Sequence, residues 1–167
     1  MQPQDFTRLA NNINAKQEDL KKKHKVALVY ICLNPLYWEF AARMITGCKN
    51  LFLPGHTTDH FFWTDIPEKD EDITKKMREG FKAVGVNTDD NNMFFNDIIV
   101  NGKQMNLNRI VQSVIDLRKI PGVTIFPTEP VEWPMPTLMR YHLFLQQEEL
   151  LKTYDEIFYM DVDMDVV

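Results

Sequence analysis

Cysteine is scarce in this chain: Cys32 and Cys48 are the only two in 167 residues, too few for a disulfide framework and without the CxxC spacing of a zinc site. Both are expected as reduced thiols in or near the core. Long apolar runs are missing as well. None approaches the roughly 20 residues that a membrane span requires, and the opening stretch MQPQDFTRL has no signal-peptide core. The expectation is a cytoplasmic protein with no membrane span. Net positive charge is also lacking, since 24 Asp and Glu against 19 Lys and Arg leave a formal charge of −5. That balance argues against nucleic acid, whose phosphates ask for a basic face. The one basic cluster, Lys21-Lys22-Lys23, reads as a solvated stretch ahead of the first strand, and no internal repeat is visible.

What is present is enough to bury one sizeable core, with 44% hydrophobic and 26% charged residues. Residues 1–24 are polar, with Phe6, Leu9, Ile13 and Leu20 spaced as in a peripheral helix. KVALVYIC at 25–32 is β-branched and almost continuously apolar, which fits a strand of a parallel sheet buried on both faces. Asn34-Pro35 ends it, and a helix is predicted from Leu36 to Asn50, with Phe40, Met44, Cys48 and Leu51 or Phe52 inward. After the Pro54-Gly55 turn, DHFFWT at 59–64 reads as a second strand. Strand, helix and strand at this spacing form a βαβ unit, whose ligands sit beyond the carboxyl ends of the strands. Leu33–Tyr37 and Thr64–Pro67 then share one rim.

From about 68 to 122 the composition turns acidic and Asn-rich. It suggests an inserted surface subdomain: a helix to Lys82, a hairpin over 97–103 around Asn101-Gly102, and a helix from Leu107 to Lys119. EF-hand ligand spacing is absent from its acidic loops. VTIF at 123–126 is strand-like, and a helix is predicted from Pro136 to Tyr154, with Met139, Leu143, Leu150 and Tyr154 on one face and Arg140 on its flank. EIFYM at 156–160 reads as a buried strand that runs into Asp161-Val162-Asp163-Met164-Asp165.

Carboxylates directly after an apolar strand are costly unless solvent or a cation compensates them. In extended backbone residues i and i+2 point the same way, so Asp161 and Asp163 can converge on one ion while Val162 packs against the core. Hard oxygen ligands suit Mg²⁺ or Mn²⁺ and leave coordination positions open for phosphate oxygens. Taken alone, the motif does not outweigh the reading of an acidic run at an ordinary strand end. A third reading is the haloacid-dehalogenase-type phosphatase, in which a strand leads into DxD with an aspartate nucleophile and magnesium, although there the motif opens its domain.

Three blocks together carry a resemblance: VALVYICLNPLYWEFAARMITGCKNLFLPGHTTDHFFWTDIP at 26–67, EWPMPTLMRYHLFLQQEELLKTYD at 132–155, and IFYMDVDM at 157–164. In that order they resemble the glycosyltransferase family of the blood-group A and B transferases and α-1,3-galactosyltransferase, with its shorter microbial relatives. The resemblance covers about half of the chain. It implies an α/β, Rossmann-like GT-A nucleotide-diphospho-sugar transferase fold over 25–167, of which this chain is the N-terminal donor-binding half with an insert at about 68–122. It further implies a retaining hexosyltransferase that moves galactose or N-acetylgalactosamine from UDP-galactose or UDP-N-acetylgalactosamine to a glycan acceptor in α-1,3 linkage.

Carried over residue by residue, the resemblance places Ile31, Cys32 and Leu33 beside the uridine and Tyr37 as the aromatic that follows. The loop ICLNPLY is one residue longer than the family pattern, and Tyr37 with Trp38 can also be read as the packed start of the helix. Arg140 matches the family arginine seven residues after its tryptophan, here Trp133, and is expected at the diphosphate or sugar; a structural salt bridge is the other reading. Asp161, Val162 and Asp163 match the metal motif, with Asp161 and Asp163 holding Mn²⁺ or Mg²⁺. Microbial members often carry asparagines there; the aspartates of this chain imply cation-dependent donor binding. His56, His60 and His142 are read as turn, surface and helix residues. The family's carboxylate near the anomeric carbon and its acceptor contacts follow the DxD by a long stretch. The catalytic group is therefore expected beyond residue 167, and these residues alone are expected to bind nucleotide without turnover.

Overall fold

The computed structural model describes residues 22–88, 98–100, 103–131 and 135–163. The expected helix within 1–24, Trp133, Met164 and Asp165 lie wholly or mainly outside them, as does the Asn101-Gly102 turn. Four strands form one parallel sheet: β1 (Lys25–Cys32), β2 (Thr57–Thr64), β5 (Val123–Pro127) and β6 (Glu156–Tyr159). Their spatial order is β5-β2-β1-β6. Counted along the chain that is third, second, first, fourth, the order of the first four strands of a Rossmann-type sheet. The chain steps outward from β1 through β2 to β5 and then returns to the other side of β1. Between β1 and β6 the winding reverses, and a crevice opens there at the carboxyl ends of the strands.

β1 is buried from Val26 to Tyr30 because both of its faces are covered. Val26, Leu28, Tyr30 and Cys32 pack into one core with α1 (Trp38–Leu51), α2 (Asp70–Ala83) and α3 (Leu107–Leu117). Ala27 and Val29 face the other way, with Phe61 and Trp63 of β2, under α4 (Met135–Leu145) and α5 (Glu148–Leu151). The period-two alternation of a strand sends successive residues to opposite layers.

The start of α1 follows the sequence closely. Asn34 caps a 3₁₀ turn at Pro35–Tyr37, its side-chain oxygen accepting from the Leu36 N–H at 2.9 Å, and Pro35 stands where no N–H is needed. The buried stripe of α1 is Trp38, Ala41, Ala42, Met44, Ile45 and Cys48. Met44 and Cys48 agree with expectation, and of Leu51 and Phe52 it is Phe52 that packs against the core while Leu51 is exposed; Phe40 is only partly buried.

Segment 68–122 is not confined to the surface. Its helices supply Ile73, Met77, Phe81, Leu107, Ile110, Val111, Val114 and Leu117 to the main core. Composition pointed outward, but Ile73, Met77 and Phe81 recur every four residues and make an apolar face that must be covered. Asn106 caps α3 by accepting from the Arg109 N–H at 3.1 Å. The expected hairpin is present as β3 (Ile98–Val100) and β4 (Lys103–Met105), paired antiparallel with Val100 opposite Lys103.

Two more expectations change. The helix read as continuous over 136–154 stops at Leu145 and resumes at Glu148, with the Gln147 N–H turned to the Phe144 carbonyl at 3.0 Å. Met139, Leu143, Leu150 and Tyr154 nevertheless all reach the same core cluster. β6 exists but is not buried: Ile157 is 48% and Phe158 37% exposed, because this strand pairs only with β1 and sits at the sheet edge. Among the described residues no helix is long and apolar enough to cross a membrane.

Candidate functional site

A cleft of about 480 Å³ lies at the reversal point of the sheet, lined by Ile31, Cys32, Leu33, Asn34 and Tyr37 from the end of β1, Val131 and Thr137 before and within α4, and Tyr159, Asp161, Val162 and Asp163 from the end of β6. Pockets in open parallel sheets form here because the connections leave the carboxyl ends of adjacent strands in opposite directions. One wall is therefore the β1 loop, and the other is the acidic stretch after β6.

The β1 wall is mostly fixed. Cys32 is buried, its thiol pushed up to about 12 by that burial, with the nearby Asp65 carboxylate adding to the effect. It is a protonated packing group and not a nucleophile. Cys48 is likewise a buried free thiol held above its ordinary pKa by burial. Tyr37 and Trp38 part company at the 3₁₀ turn. Trp38 is fully buried and its indole N–H donates to the Asp65 carboxylate at 3.0 Å, while Tyr37 is 45% exposed and lines the cleft. Both readings of the pair thus apply, one to each residue.

Asp65, at the end of β2, belongs to the same rim but is closed off. Lys76 of α2 reaches its carboxylate at 3.0 Å and its backbone carbonyl at 2.8 Å. A Cβ placed on Gly80 of the same helix would stand 3.1 Å from the Pro35 ring. The close approach that glycine permits seats α2 directly under the turn that presents Tyr37.

Asp161 and Asp163 are both exposed and both line the cleft, with Val162 between them partly buried against the core. The backbone differs from expectation, because the strand ends at Tyr159 and residues 162–163 form a turn. Among the described residues neither aspartate has an ion pair, and no group of three His, Cys, Asp or Glu side chains forms a metal-holding cluster.

Arg140 does not line the cleft. Its guanidinium lies 5.1 Å above the Tyr159 ring, and its Nε donates to the Thr137 carbonyl at 2.9 Å. It stands behind the cleft wall and has no ion pair to either aspartate among the described residues.

Sequence reasoning passed over Tyr159, Asn34, Val131 and Thr137. Tyr159 donates to Asp161 Oδ1 at 2.6 Å. Burial and the neighbouring carboxylate raise its hydroxyl well above the ordinary tyrosine value, so the proton stays in place. The i, i+2 spacing across a strand end was the available signal. Of the histidines, His142 is on α4 beside Gln146 and His56 accepts from the His24 N–H at 3.0 Å. His60, read as a turn or surface residue, is instead fully buried in the middle of β2. Compared with protein-family models and with curated proteins, the chain matches none.

Proposed function

We propose that this cleft is the donor site of a cation-dependent, retaining hexosyltransferase of GT-A type, taking a UDP-sugar and delivering galactose or N-acetylgalactosamine to a glycan acceptor in α-1,3 linkage. One observation carries the reading: Ile31, Cys32, Leu33, Tyr37, Asp161, Val162 and Asp163, nominated by the family resemblance from two distant segments, line one cleft. That cleft is at the reversal of a parallel sheet, where nucleotides bind in such folds.

The roles divide along the two walls. Ile31, Cys32 and Leu33 offer an apolar floor for the uracil, and Tyr37 an exposed ring beside it. Asp161 and Asp163 fit Mn²⁺ or Mg²⁺ in donor chemistry, being two hard, solvent-facing carboxylates with no ion pair among the described residues. Further positions on such a cation would be open to water and diphosphate oxygens. When bound, such a cation offsets the charge that develops on the departing diphosphate. Arg140, one layer back, adds positive potential behind Tyr159 without reaching into the space a nucleotide would fill.

Calorimetric titration with UDP tests this. Binding should require Mn²⁺ and weaken at least tenfold in Asp163→Ala. Binding indifferent to both changes would point to a metal-independent nucleotide module. Hydrolysis of a generic phosphate ester in Mg²⁺, lost in Asp161→Asn, would replace the transferase reading by a phosphatase.

A further inference from the structure

The acidic wall of the cleft contains a side chain that the donor-site reading leaves without a task. Tyr159 is the last residue of β6, and its ring meets both Phe144, with centroids 6.0 Å apart, and the Arg140 guanidinium at 5.1 Å. Its hydroxyl is therefore a fixed point. Asp161 is the opposite case: it is exposed and lies past the end of the strand, where no ladder hydrogen bond constrains the backbone. A carboxylate in that situation samples several staggered rotamers, and each ligand that must be ordered costs cation affinity.

We propose that Tyr159 is the positioning residue of this site: its hydroxyl holds Oδ1 of Asp161 and leaves Oδ2 to bind the divalent cation. The 2.6 Å separation is that of a charge-assisted O–H···O⁻ bond. No other described residue donates to Asp161. Tyr159, Asp161 and Asp163 stand at alternate positions and all line the cleft, so the donor, the carboxylate it orients and the second carboxylate form one continuous wall. Carboxylate ligands are commonly oriented in this way by a hydrogen-bond donor behind them, and removal of such partners costs ten- to a hundredfold in metal affinity. Arg140 assists indirectly, since a cation over the ring holds the phenol in place and makes its hydroxyl a better donor. This role rests on the donor-site reading above.

Tyr159→Phe is the test, because it keeps the ring against Phe144 and Arg140 and removes only the oxygen. The probe is Mn²⁺ alone, its free concentration read by electron paramagnetic resonance on the full chain, with UDP binding in Mn²⁺ measured alongside. The expected result is a Mn²⁺ dissociation constant raised about tenfold, an unchanged melting temperature, and a still larger loss in Asp161→Asn. Mn²⁺ bound as tightly by Tyr159→Phe as by the parent chain, while Asp161→Asn weakens it, would overturn the positioning role and leave the donor site standing. Mn²⁺ binding absent from the parent chain, or untouched in both Asp161→Asn and Asp163→Ala, would overturn the donor-site reading itself.

Discussion

β1 has a parallel neighbour on each side, and the two are built differently. β2 is buried over five consecutive residues from His60 to Thr64, and each polar side chain buried there or just after it has a partner on at least one atom. Tyr30 meets His60 Nδ1 at 2.9 Å, the Ile66 N–H reaches Thr64 Oγ1 at 3.3 Å, and Trp38 and Lys76 share the Asp65 carboxylate. β6 pairs along only four residues, keeps Ile157 and Phe158 half in solvent, and ends in carboxylates that no described cation meets. Each strand leads into aspartate on the same rim, yet only one aspartate is saturated by the fold. The difference is one of environment: the strand-end carboxylate of Asp65 is closed by Lys76 and Trp38, whereas those of Asp161 and Asp163 stay solvent-facing at the cleft.

The largest effect that sharpens this contrast is expected at Asp65. Asp65→Ala strands a buried indole N–H and leaves Lys76, whose side chain is 31% exposed, beside an apolar surface without its counter-charge. Breaking one side of a buried pair costs about 3 kcal/mol, which urea denaturation at neutral pH should register, while Asp163→Ala should leave the unfolding midpoint where it is. Equal losses at both positions would dissolve the distinction between the two strand ends.

His60 provides the next effect, in the pH dependence of stability. Its Nδ1 meets the Tyr30 hydroxyl, its Nε2 has no partner among the described residues, and burial together with the Lys49 charge lowers its pKa to about 4. The unfolded chain takes up a proton near pH 6.5 and the folded chain does not. Stability is therefore complete above about pH 6.5 and declines as the pH falls toward 4, by up to about 3 kcal/mol. Comparison of unfolding free energies at pH 7.5 and 5 for the parent chain and His60→Asn isolates this residue. A slope unchanged by the substitution would assign the pH response to other groups.

The sequence made the individual elements of this fold more legible than their environment. β1 and the cap at Asn34-Pro35 are written in local chemistry, and so is the 98–105 hairpin. The burial of α2 was legible in the spacing of Ile73, Met77 and Phe81, and that of α3 in Leu107, Ile110, Val111, Val114 and Leu117, although acidic composition hid it. The break after Leu145 left no mark, since Gln146 and Gln147 are good helix formers and the helix stops for tertiary reasons. Likewise EIFYM has the composition of an interior strand, and only the long-range order of the sheet sends it to the edge. In the site, Asp161, Asp163 and the β1 loop were marked by motif. Tyr159 was not, because its i, i+2 spacing to Asp161 gains meaning only once the hydrogen bond between them is seen.

The smallest expected effect lies on that edge strand. Ile157 stands opposite Ala27, a fully buried residue of β1, but about half of its own surface already meets water. Ile157→Thr keeps the β-branched shape that a strand favours and gives up only the apolar area that is covered, so the loss in urea denaturation should stay under about 1 kcal/mol. A value near that of Asp65→Ala would mean that β6 is packed as firmly as β2, and its open carboxylates would then need an explanation other than an edge strand left accessible for a ligand. A small loss fits a rim on which burial is concentrated along β1 and β2 and the exposed carboxylates sit where the sheet holds them least.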